Sequence, residues 1–217
     1  MTSAVVVLDL DGVIVKTNLV KHDAMLSLFA DYPDRQSSMS AFILENGGVP
    51  RKVKLAALLQ EFLNVTPTER AIEGLLARYA KALEHRLAIA PTVEGVEHFV
   101  ASWPGPRYVC SSAPESEVHE QVSRLSLQTQ FTAAYGGNTP KSEALRQIAA
   151  ANPERSVVFF GDSIGDHEAA VRAKVGFVAV ACERDNFENM PVVKIRDFAN
   201  QAILDRAMRD TLSRRAA

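Results

Sequence analysis

The sequence has few cysteines, a net charge close to zero and no long uninterrupted apolar run. Its 217 residues include two cysteines, Cys110 and Cys182, which are too few for a disulfide framework and do not form a CxxC pair. Lys and Arg total 24 against 26 Asp and Glu, a formal net charge of −2, so no nucleic-acid or membrane partner is expected. Asp9 and Asp11 interrupt the apolar run at the N-terminus, which therefore fits neither a signal peptide nor a membrane span. We expect a cytoplasmic protein.

Several catalytic motifs are missing as well. Residues 136–142, GGNTPKS, superficially suggest a phosphate-binding loop, but Pro140 stands where the Walker pattern requires glycine. No GxSxG sequence surrounds Ser111 or Ser163, and the five histidines show no HExxH spacing. These absences argue against a mononucleotide-binding loop, a serine hydrolase and a zinc protease.

Short apolar runs alternate with helical periodicity from residue 91 onward, which is typical of βα units and a parallel sheet. The predicted strands are Val5–Leu8, Arg107–Cys110 and residues 131–135, 157–160, 177–180 and 192–195. The predicted helices span residues 92–103, 115–125, 140–151 and 166–174. The basic C-terminal segment RDTLSRRAA is interpreted as a solvated last helical turn.

Residues 18–86 have helical periodicity and almost no strand-like run. Two apolar faces are made by Leu55, Leu58, Leu59, Phe62 and Leu63, and by Ile72, Leu75, Leu76, Tyr79 and Leu83. Thr66 and Pro67 are predicted to cap and start the helix that carries the second face. We therefore predict an α/β core of residues 1–16 and 88–217, with an inserted helical domain of residues 17–87 in the position of a lid.

Reactive side chains follow four of the predicted chain segments. They are Asp9 and Asp11 after VVVL, Ser111 and Ser112 after YVC, Lys141 after GGNTP, and Asp162 and Asp166 after VVFFG. Because the carboxyl ends of parallel strands form one crevice, we expect these side chains to converge. Neighbouring carboxylates repel one another unless a cation joins them. Together with a lysine and a hydroxyl they suit Mg²⁺ and a phosphate group.

These segments carry a family resemblance. DLDGV at residues 9–13, VCSS at 109–112, TPK at 139–141 and GDSIGD at 161–166 resemble, in this order, the four motifs of the haloacid dehalogenase-like phosphohydrolases. The resemblance covers the whole chain, and the helical insertion after the first motif matches that family's cap. It implies a Rossmann-like three-layer core with a parallel sheet and an all-helical cap domain.

The resemblance also implies roles for these residues. Asp9 would be the nucleophile that forms an aspartyl-phosphate, and Asp11 the general acid and base, whose main-chain carbonyl also binds the metal. Ser111 and Lys141 would contact the phosphoryl group, with Gly12 and Ser112 binding substrate beside them. The Mg²⁺ ligands would be Asp9, Asp11, Asp162 and Asp166, the last of which would hold a metal-bound water or Lys141.

The expected substrate is a small phosphate ester. Asp11 favours an ester over a carbon–halogen bond, because it can protonate an alcohol leaving group. In the helical insertion, GGVPRKVKL at residues 47–55 resembles the cap loop of the branch that contains phosphoglycolate phosphatase and β-phosphoglucomutase. Arg51 and Lys54 would there hold a carboxylate or second phosphate of the substrate. A sugar phosphate or a phosphoglycolate-like substrate is predicted. The protein is expected to be a monomer or a homodimer.

Two alternatives stay open at this stage. One is a β-phosphoglucomutase-like phosphosugar mutase, although Lys21 stands near the position of that enzyme's histidine, with His22 one residue later, and Lys16 replaces the usual acidic residue. The other is a phosphate-binding regulatory protein without turnover.

Overall fold

The computed structural model describes residues 4–47 and 49–216, and the side chains among them as far as Ser213. Gly48 in the predicted segment 47–55 and the final side chains of RDTLSRRAA lie outside this description. The strands are β1 (Val5–Leu8), β2 (Arg107–Cys110), β3 (Ala133–Tyr135), β4 (Val157–Gly161), β5 (Gly176–Val180) and β6 (Val193–Ile195). The α-helices are α1 (Asn18–Ser27), α2 (Gln36–Glu45), α3 (Arg51–Ala57), α4 (Glu69–Ala88), α5 (Val96–Ser102), α6 (Glu115–Arg124), α7 (Lys141–Ala151), α8 (Ile164–Ala173) and α9 (Gln201–Ala216).

The six strands form one parallel sheet in the order β3-β2-β1-β4-β5-β6. Leu8, the last residue of the central strand β1, is level with Val109 of β2 and with Phe160 of β4, so β2 and β4 each end one residue beyond it. Their carboxyl ends therefore form one edge, as the α/β prediction requires. The predicted edge strand near residue 195 is present as β6.

Both faces of the sheet are covered, which explains the uninterrupted apolar sequence of β1. Val6 and Leu8 pack into a core with α5, α6 and α9, whereas Val5 and Val7 pack into a second core with α7 and α8. The four valine and leucine side chains of β1 are fully buried. The result is the predicted three-layer, Rossmann-like arrangement of helices on either side of a parallel sheet.

The chain divides into two compact units, one of residues 1–16 and 91–217 and the other of residues 17–90. The second boundary follows residue 90 instead of the predicted residue 87, because α4 continues to Ala88 and buries Leu87 against the helical unit. The predicted boundary after residue 16 coincides with the first division.

The helical unit contains α1 to α4, a short 3₁₀ turn at Pro33–Arg35 and a π-helical turn at Leu58–Phe62 that continues α3. Its buried core includes Met25, Met39, Leu55 and Tyr79. A hydrogen bond of 2.9 Å joins His22 Nε2 of α1 to Ser40 Oγ of α2 and ties these two helices together.

Three predicted helix starts were wrong. Thr68, not Thr66, caps α4, because its hydroxyl accepts a hydrogen bond from the Ala71 N–H. Helix α8 begins at Ile164 instead of Asp166, since Ser163 caps it. Helix α5 begins at Val96 instead of residue 92, because the preceding Gly95 has a left-handed φ of 76°.

Within residues 4–47 and 49–216, no helix combines the length and the apolar character that crossing a membrane requires.

Candidate active site

Asp9 lies at the centre of the site, directly after the last residue of β1. Its N–H donates to the Phe160 carbonyl of the neighbouring strand β4 at 2.9 Å, which extends the ladder by one residue. Its Oδ1 accepts a hydrogen bond of 2.7 Å from the N–H of Leu10, and its side chain is almost completely buried. Asp9 is therefore held by the backbone of the central strand and by the turn that follows it.

Lys141 joins Asp9 to Asp166. It is the first residue of α7, and its Nζ donates to Asp9 Oδ2 at 2.8 Å and to Asp166 Oδ1. The lysine side chain is 9% exposed and that of Asp166 is fully buried, so both ion pairs lie away from solvent. A buried ammonium that keeps two carboxylate partners is well satisfied, whereas either carboxylate without it would be costly to bury.

Asp166 has a second set of contacts, with the cap of α8. Its Oδ2 accepts hydrogen bonds from the N–H and the hydroxyl of Ser163, at 3.1 and 2.7 Å, and the Ser163 hydroxyl accepts from the Asp166 N–H. This reciprocal pair is a capping box, and it fixes Asp166 in one orientation. The role of Ser163 was not predicted from the sequence, although the spacing S-x-x-D in GDSIGD is the pattern that predicts such a cap.

Gly161 allows Asp166 to approach the end of β4. A Cβ atom added to Gly161 would lie 2.4 Å from the Asp166 Cβ and 2.8 Å from its Cγ, far inside van der Waals contact. Only glycine leaves enough room there, so the packing of Asp166 requires Gly161, the first glycine of GDSIGD.

Asp162 completes an acidic cluster. Ligand oxygens of Asp9, Asp162 and Asp166 all lie within 4.8 Å of one another, and the three residues are buried. Three carboxylates at this spacing are a donor set for a hard divalent cation such as Mg²⁺ or Ca²⁺. Both carboxylate oxygens of Asp166 also accept hydrogen bonds, from Lys141 and from Ser163.

Burial and mutual repulsion shape the electrostatics of this cluster. Burial raises the pKa of Asp9 to about 7, with Asp166 and Asp11 adding to the increase and Lys141 opposing it. Burial acts to lower the pKa of Lys141, but the charges of Asp166 and Asp9 outweigh it and hold that pKa well above its usual value. Lys141 is therefore a permanent cation, and a bound divalent cation would favour the ionised form of Asp9.

The turn after Asp9 carries Asp11 and Gly12. Gly12 has a left-handed φ of 72°, and its N–H donates to the Val15 carbonyl at 2.8 Å. Asp11 forms an isolated bridge with Val15, and its side chain is half-buried. The turn thus folds back on itself and keeps Asp11 close to the chain segment of Asp9. Cys182, which received no role from the sequence, contacts the Gly12 carbonyl through its Sγ at 3.0 Å.

Ser111 and Ser112 follow β2, at the same edge of the sheet. Ser111 is buried, its N–H donates to the Tyr135 carbonyl and its hydroxyl accepts from the Ala113 N–H at 3.1 Å. Ser112 is half-buried. Gly136 allows the β3 loop to approach helix α6, since a Cβ there would lie 2.4 Å from the Glu115 Cα.

Arg51 and Lys54 lie on α3 of the helical unit, separate in the chain from the residues above. Arg51 is half-buried, with its guanidinium carbon 5.1 Å from the centre of the Tyr79 ring, in a cation–π arrangement. Lys54 is half-buried three residues further along the same helix. Their predicted role in substrate binding stays a prediction.

The sequence model of the haloacid dehalogenase-like hydrolase family matches residues 6–180. No curated protein is similar enough to count as a relative.

Solved structures share the fold at low sequence identity. CbbY from Rhodobacter sphaeroides, solved in complex with phosphate, is 17% identical with a TM-score of 0.73, over 94% of this chain and 100% of that one. A predicted phosphoglycolate phosphatase from Haemophilus somnus is 15% identical with a TM-score of 0.71, over 95% and 98% of the two chains. A proposed β-phosphoglucomutase from Thermotoga maritima is 21% identical with a TM-score of 0.66, over 95% and 99%. At this identity the comparisons establish the fold.

Proposed function

The chain belongs to the haloacid dehalogenase-like hydrolase family, and from this premise we propose that it is a Mg²⁺-dependent phosphatase of small phosphomonoesters. The observation that carries the proposal is the position of Lys141, buried between Asp9 and Asp166 beside the carboxylate of Asp162. A nucleophilic carboxylate, a fixed cation and an acidic metal site in one place are the parts that phosphoryl transfer requires.

In the first step, Asp9 attacks the phosphorus atom. A new bond forms between a carboxylate oxygen of Asp9 and phosphorus, while the ester bond breaks and its electron pair stays on the alcohol oxygen. Asp11 donates its proton to that oxygen, and the alcohol leaves. The product on the protein is an aspartyl-phosphate at Asp9.

In the second step, water releases the phosphate. Asp11, now ionised, takes a proton from a water molecule whose oxygen attacks phosphorus. The bond between phosphorus and Asp9 breaks, the Asp9 carboxylate is restored, and inorganic phosphate leaves. The half-buried position of Asp11, one residue beyond Leu10 in the turn, suits a group that must exchange protons in both steps.

The fixed charges lower the barrier for both steps. Lys141 offsets the negative charge of Asp9 and of the transferring phosphoryl group, and Ser111 is proposed to donate a hydrogen bond to one of its oxygens. Removing one such contact typically costs about 3–4 kcal/mol of barrier. Bound Mg²⁺, held by Asp9, Asp162 and the Asp11 carbonyl, would supply the positive charge that lets a carboxylate approach a phosphate dianion.

The substrate class is proposed to be a sugar phosphate or a phosphoglycolate-like acid. This rests on Arg51 and Lys54, two cations close together on α3 of the helical unit. A guanidinium and an ammonium can bind a carboxylate or a second phosphate.

We favour hydrolysis over a mutase reaction. A mutase needs a group that assists transfer between two hydroxyls, but Lys21 stands near the position of that enzyme's histidine, and the nearest histidine, His22, is one residue later. Its two ring nitrogens contact Ser40 and Asp23 of its own unit, at 2.9 and 2.8 Å. His22 therefore already has a structural function.

The direct test is phosphate release from a panel of sugar phosphates, phosphoglycolate, nucleotides and an aryl phosphate, with and without Mg²⁺. The wild type is expected to release phosphate only with Mg²⁺, and Asp9→Asn to lose at least about 10³-fold in rate, because an amide cannot act as the nucleophile. Asp205→Asn is the matched control, since Asp205 is an exposed residue of α9 that bonds only to a neighbouring side chain in the described contacts.

Two results would overturn the proposal. One is a folded wild type that releases no phosphate from any member of the panel. The other is turnover without a phosphorylated Asp9 peptide after rapid acid quenching. Isomerisation of a sugar phosphate that depends on its bisphosphate would support the mutase instead.

A further inference from the structure

The loop between β5 and β6, residues 181–192, crosses the end of a strand that it does not follow; we name it the crossing loop. In the sheet, β5 neighbours β4 but not β1. Cys182, two residues after β5 ends, nevertheless donates through its Sγ to the carbonyl of Gly12 in the turn after β1, at 3.0 Å. The loop therefore passes over the end of β4 to reach the turn that carries Asp9 and Asp11.

The same loop also contacts the turn after β4. Asn186 Nδ2 donates to the main-chain carbonyl of Asp162 at 2.9 Å. Asp162 belongs to the acidic cluster with Asp9 and Asp166. One loop thus holds two acid-bearing turns through side-chain donors to their main-chain carbonyls.

The middle of the crossing loop is fixed independently of these two contacts. Asp185 Oδ1 accepts a hydrogen bond from the Phe187 N–H at 2.8 Å, and Lys194 on β6 donates to Asp185 Oδ2 and to the Phe187 carbonyl. The Phe187 ring is fully buried against Phe177 of β5, with ring centres 5.6 Å apart. A loop anchored in this way can impose its geometry on the turns that it contacts.

We propose that Cys182 and Asn186 are positioning residues, which hold the turns of Asp11 and Asp162 at the separation that a divalent cation requires. Neither side chain touches substrate. Cys182 acts through the carbonyl of Gly12, which is the residue after Asp11, and Asn186 acts through the carbonyl of Asp162 itself. This inference rests on the proposed function, since it assigns a purpose to the acidic cluster. Residues that orient metal ligands in this way change metal affinity by about 10–100-fold when they are removed.

The test measures binding of Mn²⁺ alone to the full chain by electron paramagnetic resonance. Asn186→Leu keeps the size of the side chain but loses the donor, and Asn186→Ala is made in parallel as the smaller change. Both are expected to raise the Kd for Mn²⁺ by about tenfold. At saturating metal, kcat should return to near the wild-type value. The metal concentration needed for half-maximal activity should stay above that of the wild type.

Asn152→Leu is the matched control. Asn152 is also half-buried and also donates to a main-chain carbonyl, that of Ile148 at 2.8 Å, but it lies after α7 at the opposite edge of the sheet. The Asn152→Leu variant should lower the unfolding midpoint as Asn186→Leu does, while leaving the Kd for Mn²⁺ unchanged. A purely structural Asn186 would make the two variants alike in both measurements.

Cys182 is tested by loss and rescue. Cys182→Ala removes the donor to Gly12 and is expected to raise the Kd for Mn²⁺ several-fold, whereas Cys182→Ser restores a donor and should bring it back toward the wild-type value. An unchanged Kd in Asn186→Leu, Asn186→Ala and Cys182→Ala would overturn this inference and leave the phosphatase proposal intact. A wild type that releases phosphate but binds no Mn²⁺ would overturn the inference and the metal site together.

Discussion

Lys141 Nζ lies 2.8 Å from Asp9 Oδ2, although 132 positions separate the two residues in the chain. The contact exists because Asp9 directly follows the central strand and Lys141 begins a helix that packs on one face of the same sheet. With Asp166 as its second partner, Lys141 is the cation on which a cluster of buried carboxylates depends.

Lys141→Met should destabilise the sheet-containing unit by about 3–5 kcal/mol, because Asp9 and Asp166 would stay buried without their cation. Urea unfolding followed by the fluorescence of Trp103, the single tryptophan, measures this unit. Arg146→Met on the same helix breaks a pair in which both side chains are about half exposed, and it should cost less than about 1 kcal/mol. Equal losses in the two variants would contradict the prediction.

Gly161→Ala should also destabilise this unit, by about 1–3 kcal/mol, because the new methyl group would collide with Asp166. Gly74→Ala is the informative contrast. Gly74 lies inside α4, and outside the adjacent backbone of that helix no atom of the described residues lies within 4 Å of an added Cβ, so alanine there should stabilise the helical unit by about 0.5–1 kcal/mol. Circular dichroism in urea measures that change, and a loss of stability in Gly74→Ala would count against the described packing of α4.

Ser163→Ala should cost about 1 kcal/mol of stability through loss of the helix cap and should lower kcat as well, since the Asp166 carboxylate loses the hydroxyl donor and the Asp166 N–H loses its acceptor. Thr68→Ala removes the cap of α4 and should cost a similar amount with kcat unchanged. If Thr66→Ala proved more damaging than Thr68→Ala, the assigned start of α4 would be wrong.

Removal of divalent cations should abolish turnover and lower the unfolding midpoint, because a cation that binds only the folded protein stabilises it. Adding Mg²⁺ at about 100 times its Kd should restore about 2.7 kcal/mol of stability. Differential scanning calorimetry with and without chelator checks this. Asp162→Asn should bind Mg²⁺ more weakly and show a smaller stabilisation; an equal one would remove Asp162 from the metal site.

Arg51→Ala should raise KM for substrates that carry a second anionic group and leave aryl phosphate hydrolysis almost unchanged, because only the former need a second cation. Steady-state kinetics on two substrates, one with and one without a second anionic group, measure the difference. Lys52→Ala, at the exposed neighbouring residue that pairs with Glu69, is the control. A uniform loss of activity on all substrates in Arg51→Ala would instead assign Arg51 to the stability of the helical unit, through its contact with Tyr79.

The local sequence was sufficient for the family, the parallel sheet and the helical insertion. Uninterrupted apolar runs such as VVVL predict strands buried on both faces, and an acid directly after such a run predicts its place at the sheet edge. The observed β1 and β2 have the predicted bounds. The start of α5 could not be predicted in this way, because it depends on the close approach of Gly95 to the Phe198 backbone.

The sequence by itself determined the candidate site residues, since the four motifs and their order are local patterns of residue type. Only the tertiary structure decided how these residues are held. The capping of Asp166 by Ser163 has a local pattern, but the contacts of Cys182 with Gly12 and of Asn186 with Asp162 have none. They join segments far apart in the chain, and the geometry of such contacts follows from strand order and packing, which no short run of residues contains.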